Sequence, residues 1–321
     1  MHVDAKRRLR AVVLAGGNGE RMRELALRFS RRPLPKQFCA FGRPNTLLQD
    51  TLVRVGRVVP ASRTTVVVRE CWEAVAREQL RACQGVEVLA QPCDRGTAAA
   101  ILLALVRMQP GASNVPVLLT PSDHGFADEE AFPVAVEAAH GLVATGRADV
   151  VLLGAPAHSP RTDYGWIVPE ARDPDGARVA GFVEKPPARR ARSLLRAGAL
   201  WNTMILVARA DALLGLYLSR KPEDVAILQR ARAGGDRPML RALESLSPAD
   251  FSRDILADAS NLFVLPLPHR AGWTDLGTPE RMNDFLRRDR DCGGGGIGGL
   301  PFDAVHSARG AAGGAPRQGH A

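Results

Sequence analysis

Apolar and polar positions alternate along the first half of the chain with two distinct periods. Short, nearly continuous apolar runs predict buried strands at residues 11–15, 64–68, 86–89, 115–119 and 150–154. Between them, apolar residues recur every three or four positions, which predicts helices at 46–59, 73–83, 97–108 and 129–144. Thr97 opens the third of these helices, and we expect it to be the N-cap. The alternation predicts an α/β fold with a doubly wound, mostly parallel, Rossmann-like sheet.

The pattern changes after about residue 155. Residues 164–168 and 179–183 predict two antiparallel strands that flank the turn Asp173-Pro174-Asp175-Gly176. The rest of this half predicts strands at 200–207 and 262–267 and helices at 187–197, 210–246 and 279–288. A smaller antiparallel subdomain is therefore expected beside the parallel sheet.

The same pattern sets the expected domain boundaries. Residues 1–9 form a short charged arm, and residues 10–290 form one domain with halves at about 10–155 and 156–290. Residues 291–321 are rich in glycine and in small or polar side chains. Because that composition cannot bury a core, we expect a disordered tail.

Composition excludes several classes of protein. Apolar residues make up 45% of the 321 positions, which is ample for a core, but no run approaches the roughly 18 apolar residues of a membrane span. The N-terminus has no signal-peptide cleavage pattern, so a cytoplasmic protein without a membrane partner is expected. The five cysteines are odd in number and include no C-x-x-C, which argues against disulfides and zinc and favours buried free thiols.

The charge is strongly basic, with a formal net charge of +9. The basic residues are scattered and are not interleaved with aromatic residues, so we expect small anionic substrates rather than nucleic acid. Only four of the 43 basic residues are lysines, and two of these lie in Pro35-Lys36-Gln37 and Glu184-Lys185-Pro186. Lysine is a compact point charge that arginine does not mimic, so we interpret both positions as chemically required.

A glycine cluster follows the first predicted strand. Gly16, Gly17 and Gly19 can adopt backbone conformations that turn N–H groups toward an anion, and Arg21 and Lys36 would add positive charge. These residues predict a phosphate cradle at the end of the strand. No Gly-Lys-Ser/Thr follows, which excludes a P-loop. Met22 stands where the dinucleotide fingerprint needs a third glycine, which makes a nicotinamide dehydrogenase a weak alternative.

Two motifs in this order, Gly16-Gly17-Asn18-Gly19-Glu20-Arg21 and Pro35-Lys36-Gln37-Phe38, resemble the signature of sugar-1-phosphate nucleotidyltransferases. The resemblance is strongest to bacterial mannose-1-phosphate guanylyltransferases and spans about residues 10–288. Further motifs match in order: Gln91-Pro92-Cys93-Asp94-Arg95-Gly96-Thr97, Pro121-Ser122-Asp123-His124, Thr162-Asp163-Tyr164-Gly165-Trp166, Phe182-Val183-Glu184-Lys185-Pro186, Trp201-Asn202 and Trp273-Thr274-Asp275-Leu276-Gly277.

The resemblance implies a role for each matched residue, with a nucleotide half before about residue 155 and a sugar-side half after it. The implied catalytic residues are Arg21, Lys36, Asp123 and Lys185. The implied nucleotide contacts are Ala15, Gly16, Gly17, Gly19, Gln91, Arg95 and Thr97. The implied sugar contacts are Gly165, Glu184 and Asn202. The implied ligands of a Mg²⁺ cofactor are Asp123 and Asp275, while His124 is expected to be structural.

The expected reaction joins GTP and mannose 1-phosphate, with release of pyrophosphate. Three departures from the family pattern leave alternatives open: Glu20 replaces a threonine, the segment from Arg21 to Lys36 is long, and Gly96 replaces an asparagine. The same chemistry with another sugar or base is one alternative. A non-catalytic sensor of nucleotide sugars is another, favoured by the carboxylate of Glu20 beside a triphosphate. The sequence leaves the oligomeric state open.

Overall fold

A computed structural model describes residues 9–30, 32–108 and 115–291. Residues 1–8 of the predicted arm and residues 292–321 of the predicted tail lie outside this part of the chain. The division of the domain into two halves stays a prediction. No helix within the described ranges is long and apolar enough to cross a membrane.

The nine strands found in the described ranges form one sheet in the order β3-β2-β1-β4-β8-β5-β9-β7-β6. They are β1 (Arg10–Leu14), β2 (Thr64–Arg69), β3 (Glu87–Gln91), β4 (Pro116–Pro121), β5 (Val150–Pro156), β6 (Gly165–Pro169), β7 (Ala177–Glu184), β8 (Leu200–Arg209) and β9 (Leu262–Pro266). Only β7 and β8 among them run against the common direction. The predicted mostly parallel, Rossmann-like sheet is confirmed.

Helices cover both faces of this sheet. They are α1 (Arg23–Phe29), α2 (Leu47–Val55), α3 (Glu73–Gln79), α4 (Gly96–Met108), α5 (Ala131–Ala144), α6 (Ala188–Ala197), α7 (Ala210–Arg220), α8 (Pro222–Arg232), α9 (Asp236–Ala242) and α10 (Pro279–Asp291). Helices α2, α3, α5 and α6 pack into the core on one face, and α4, α7, α8 and α9 pack into the core on the other. Helices α1 and α10 share a third, smaller core. The sheet is therefore doubly wound, as predicted.

The antiparallel strands of the second half belong to the same sheet. Strand β6 pairs with β7 and also with the start of β8, where Trp166 faces Trp201. Because β8 also pairs with β5, and β9 joins β5 to β7, the strands β8, β5, β9, β7 and β6 form a closed ring. The ring brings the ends of β6, β7 and β8 close to the parallel part of the sheet.

Several element boundaries differ from the predictions. Helix α2 starts after Thr46, whose side chain forms a capping box with Gln49, but it ends at Val55 rather than at residue 59. The expected cap at Thr97 is wrong, because α4 already includes Gly96 and the Thr97 hydroxyl accepts a hydrogen bond from the Phe251 N–H at 2.9 Å. The expectation of buried thiols holds for Cys39 and Cys83, whereas Cys71 is exposed. Cys292 lies outside the described residues.

Candidate functional site

The glycine loop after β1 is fastened by the Pro-Lys-Gln-Phe motif. Gln37 Nε2 donates hydrogen bonds to the carbonyl oxygens of Ala15 and Gly17, at 2.9 and 2.8 Å. Gly19 has a φ of +63°, and a Cβ there would lie 2.9 Å from the backbone nitrogen of Lys36. Only glycine combines that conformation with so close an approach. The two motifs are therefore the two parts of one loop structure.

Lys36 projects from this loop to the ends of two other segments. Its ammonium lies 3.2 Å from Asp123 Oδ2 and donates to the backbone carbonyl of Asp275 at 2.8 Å. Asp123 follows β4, the neighbour of β1, and residues 125 and 274 form an isolated bridge that holds the Asp123 and Asp275 loops together. The Lys36 ammonium thus lies at the point where the segments of both predicted metal ligands meet, and it pairs with the carboxylate of Asp123.

The carboxylate of Asp275 is held from three sides. Its Oδ1 accepts hydrogen bonds from the Tyr164 hydroxyl and the Gly277 N–H, both at 3.1 Å, and lies 2.9 Å from Arg281 Nε. Arg281 also donates to Asp163 Oδ2 at 2.8 Å. Burial and the negative charge of Asp275 raise the pKa of Tyr164, so its hydroxyl stays protonated as a donor. Arg281 contacts Asp275 and links it to Asp163, and sequence reasoning assigned no site role to Arg281 or Asp163.

His124 is a neutral packing partner whose side chain is 11% exposed. Its Nδ1 accepts a hydrogen bond from the Trp273 indole N–H at 3.2 Å, and the two rings meet edge to face. Burial lowers the pKa of His124 to about 4, although Asp123 and Asp275 oppose that shift. These contacts agree with the structural role expected for it.

The predicted sugar contacts meet where β6, β7 and β8 come together. Gly165 pairs with Glu184 across the two strands, and a Cβ on Gly165 would overlap the Glu184 carboxylate and lie 3.2 Å from Asn202 Cβ. Lys185 Nζ donates to Glu184 Oε1 at 2.7 Å, and its side chain is 58% exposed. Glu184, Asn202 and the Phe182 ring therefore surround a position where only glycine leaves room.

Residues 10–291 match the family described as Nucleotidyl transferase. This chain belongs to that family. Its relatives include the alginate biosynthesis protein AlgA of Pseudomonas putida, 34% identical over 87% of this chain and 58% of that protein. Another relative is the mannose-1-phosphate guanylyltransferase ManC of Salmonella typhimurium, 32% identical over 84% of this chain and 58% of that protein. The chain thus spans little more than half the length of these curated relatives.

Solved structures agree with this family. A Thermus thermophilus structure described as a mannose-1-phosphate geranyltransferase is 30% identical, with a TM-score of 0.75 over 87% of this chain and 79% of that one. A putative glucose-1-phosphate thymidylyltransferase from Bacillus anthracis is 15% identical, with a TM-score of 0.56 over 88% of this chain and 96% of that one. The second likeness supports the fold alone.

In this member of the family, several predicted residues line one cavity of about 560 Å³. Its wall is formed by Asn18, Gly19, Glu20, Arg21, Met22, Lys36, Asp123 and Gly277. The Arg21 guanidinium lies close to Gly277. A Cβ added to Gly277 would be 3.3 Å from Arg21 Nη2. Glu20 is exposed at this wall. The cavity therefore brings together Gly19 of the cradle, the cations Arg21 and Lys36, and Asp123, one of the two predicted metal ligands. Asp275, the other predicted ligand, lies two residues from Gly277.

The predicted nucleotide contacts Gln91, Arg95 and Thr97, which run from the last residue of β3 to the first turn of α4, divide into two groups. Gln91 is buried against the cradle, with its amide nitrogen 3.1 Å from where a Cβ of Gly16 would lie, and its Oε1 has no hydrogen-bond partner among the described residues. Arg95 and Thr97 instead bind the segment 244–251. Arg95 Nη2 donates to the Glu244 carbonyl at 2.5 Å, and the Thr97 hydroxyl is held by Phe251. Their role as nucleotide contacts stays a prediction.

Proposed function

We propose that this chain transfers a nucleotidyl group from a nucleoside triphosphate, GTP, to a sugar 1-phosphate, mannose 1-phosphate, with release of pyrophosphate. The observation that carries the proposal is the position of Lys36. Its ammonium joins the glycine cradle to the segments of Asp123 and Asp275, at 3.2 and 2.8 Å. The names of the curated relatives that are mannose-1-phosphate guanylyltransferases support the same sugar and base.

The reaction needs no protein nucleophile. A phosphate oxygen of the sugar 1-phosphate attacks the α-phosphorus of GTP, a new P–O bond forms there, and the bond to the β-phosphate oxygen breaks so that pyrophosphate leaves. The protein has to orient the two substrates and to neutralise charge on the departing group. The cradle, Arg21 and Lys36 would hold the triphosphate, since Gly19 of the cradle lines one cavity with these two cations. Glu184, Lys185 and Asn202 would hold the sugar phosphate.

Asp123 and Asp275 would hold Mg²⁺. No group of three or more His, Cys, Asp or Glu side chains within the described ranges is arranged to hold a metal ion. A site of two carboxylates fits Mg²⁺, which commonly takes one or two carboxylates and completes its octahedron with phosphate oxygens and water. The bound ion would supply charge neutralisation at the phosphates.

Pyrophosphate release tests the proposal. Each of the four nucleoside triphosphates is paired with mannose, glucose, galactose and N-acetylglucosamine 1-phosphates at fixed Mg²⁺, with the Asp123→Asn variant as the control. We expect turnover to be fastest with GTP and mannose 1-phosphate. Faster turnover with another pair would support nucleotidyl transfer and show that the proposed base or sugar is wrong.

If no pair of substrates is turned over but GDP-mannose binds in calorimetry, the proposal of an enzyme would be overturned. That result would favour the alternative of a non-catalytic sensor of nucleotide sugars. The exposed Glu20 at the triphosphate wall is the observation that favours this second candidate. The proposed partners are small molecules, without nucleic acid or membrane. The cytoplasmic location stays a prediction.

A further inference from the structure

A bulge in β8 shapes the backbone at Asn202. The pairing of β5 with β8 joins Leu152 to Leu206 and Gly154 to Asn202, so three residues of β8 stand opposite Leu153 alone. Met204, inside the bulge, has a φ of +57°. Non-glycine residues adopt that conformation only where their surroundings hold them in it. The bulge therefore constrains the backbone from which the Asn202 side chain projects.

Two hydrogen bonds then fix the amide of Asn202. The Met204 N–H donates to its Oδ1, and its Nδ2 donates to the Ser252 hydroxyl, each at 3.1 Å. The two bonds are compatible with only one of the two amide orientations. An amide has two N–H donors and two acceptor lone pairs, so one donor and one lone pair remain. The remaining donor and lone pair belong to the Asn202 amide. The Cβ of Asn202 borders Gly165, which also lies beside the Glu184 carboxylate.

Ser252 itself is buried and rigidly placed. It is 4% exposed, its hydroxyl lies 2.9 Å from Met204 Sδ, and it opens the single π-helical turn Ser252–Leu256. The residues before it are bonded to the β3–α4 loop: Ala249 N–H donates to the Arg95 carbonyl at 3.0 Å, and the Ala249 carbonyl accepts from Ala98 N–H at 3.1 Å. Ser252 thus reaches Asn202 from a segment that is anchored to the connection between β3 and α4.

We infer that Ser252 is a positioning residue for the sugar phosphate, acting through the amide of Asn202; this rests on the proposed function. Without the hydroxyl, the amide loses the partner that selects its orientation, and its remaining donor and acceptor no longer point reliably at the substrate. Leaving a buried amide N–H unpaired also carries a cost in free energy. The triphosphate cavity is not lined by Ser252 or Asn202.

The test combines kinetics with a double-mutant cycle. Ser252→Ala should raise the KM for the sugar phosphate about fivefold or more, while the KM for GTP changes less than twofold. Ser252→Thr keeps the hydroxyl and should restore much of the affinity. Ser252→Ala combined with Asn202→Ala should be no worse than Asn202→Ala alone, because the first residue acts through the second. The control is Ser219→Ala, since within the described part of the chain the Ser219 hydroxyl has one hydrogen bond, to the Leu216 carbonyl on the same helix α7.

Additive effects in the cycle, or an unchanged sugar phosphate KM, would overturn the inference. Should Ser252→Ala fail to fold, Ser252→Cys keeps the size and weakens the hydrogen bond, and it should show the same selective rise in KM. The wild type separates this inference from the proposed function. If the wild type releases no pyrophosphate, the proposed function fails, and the double-mutant cycle is measured instead on calorimetric Kd values for mannose 1-phosphate. The same non-additivity is expected in those Kd values, and additive effects would overturn the inference about Ser252.

Discussion

The ammonium of Lys36 lies 3.2 Å from Asp123 Oδ2, and the side chains of these two residues are 11% and 22% exposed. Asp123 would hold Mg²⁺ at the phosphates, and Lys36 is a buried cation beside it. Lys36 therefore lies where negative charge must be neutralised during nucleotidyl transfer. Lys36 also donates to the carbonyl of Asp275, so its amine is directed by two segments. This geometry favours a role for Lys36 in stabilising the departing pyrophosphate.

Lys36→Ala is therefore expected to lower kcat by roughly two to three orders of magnitude, the usual loss for a group aimed at charge that develops in the transition state. Lys36→Arg should not restore the rate, because a planar guanidinium does not fit a site shaped around an ammonium. Steady-state kinetics with each substrate varied in turn measure both effects. An effect confined to the KM for the sugar phosphate would contradict this assignment.

Lys185 should behave differently, because it lies among the sugar-side strands and bonds Glu184. Its target would be the phosphate of the sugar 1-phosphate, which is already charged in the ground state. Lys185→Ala should mainly raise the KM for that substrate and leave kcat nearly unchanged. Lys221→Ala is the matched control, since Lys221 lies between α7 and α8 and contributes nothing to the triphosphate cavity. A change in the KM for GTP alone would refute the division of roles.

Asp123→Asn and Asp275→Asn should both remove most activity and weaken the dependence on Mg²⁺, since each removes a carboxylate from the proposed metal site. Their stabilities should differ. Asp275 is bound by Tyr164, Gly277 and Arg281, whereas Asp123 is paired with Lys36. Asp275→Asn leaves the buried Arg281 with less compensating charge and should cost about 2 kcal/mol of unfolding free energy.

Thermal and urea unfolding of both variants measure that difference, and Mg²⁺ titrations of initial rate measure the metal dependence. Asp123→Asn should unfold within a few degrees of the wild type. Equal destabilisation of the two variants would show that the Arg281 network does not support Asp275. A variant with wild-type kcat at low Mg²⁺ would remove that residue from the set of ligands.

The site could be predicted from the sequence where the fold brings consecutive elements to a common edge. The cradle follows β1 and Asp123 follows β4, and these strands are neighbours in a parallel sheet whose carboxyl ends form binding crevices. Arg281 could not be predicted in this way, because nothing local to α10 indicates that its guanidinium reaches Asp163, 118 residues earlier. The prediction that Thr97 is an N-cap was wrong for the same reason. A distant segment, 244–251, binds the hydroxyl that local reasoning assigned to its own helix.

That segment also gives a physical reason for Gly96. Its φ is +80°, and a Cβ there would collide with the Ala249 carbonyl, which accepts a hydrogen bond from Ala98 N–H. Gly96→Ala must therefore strain the backbone and push segment 244–251 away from the loop that follows β3. We expect a loss of about 1–3 kcal/mol in unfolding free energy. We also expect a higher KM for GTP with little change for the sugar phosphate, since Gln91, the last residue of β3 before this loop, borders the cradle.

Gly141→Ala is the matched control for this substitution. Gly141 lies inside α5 with open space around its missing Cβ and no positive φ, so alanine there should stabilise the protein by about 0.4–1 kcal/mol and leave both KM values unchanged. Urea unfolding and steady-state kinetics on the two variants separate the general effect of replacing glycine from the effect of moving the loop. If Gly96→Ala destabilises the protein but leaves the KM for GTP unchanged, the loop after β3 does not shape the nucleotide site. In that case the asparagine-to-glycine difference at this position is only a packing adjustment to the Ala249 carbonyl.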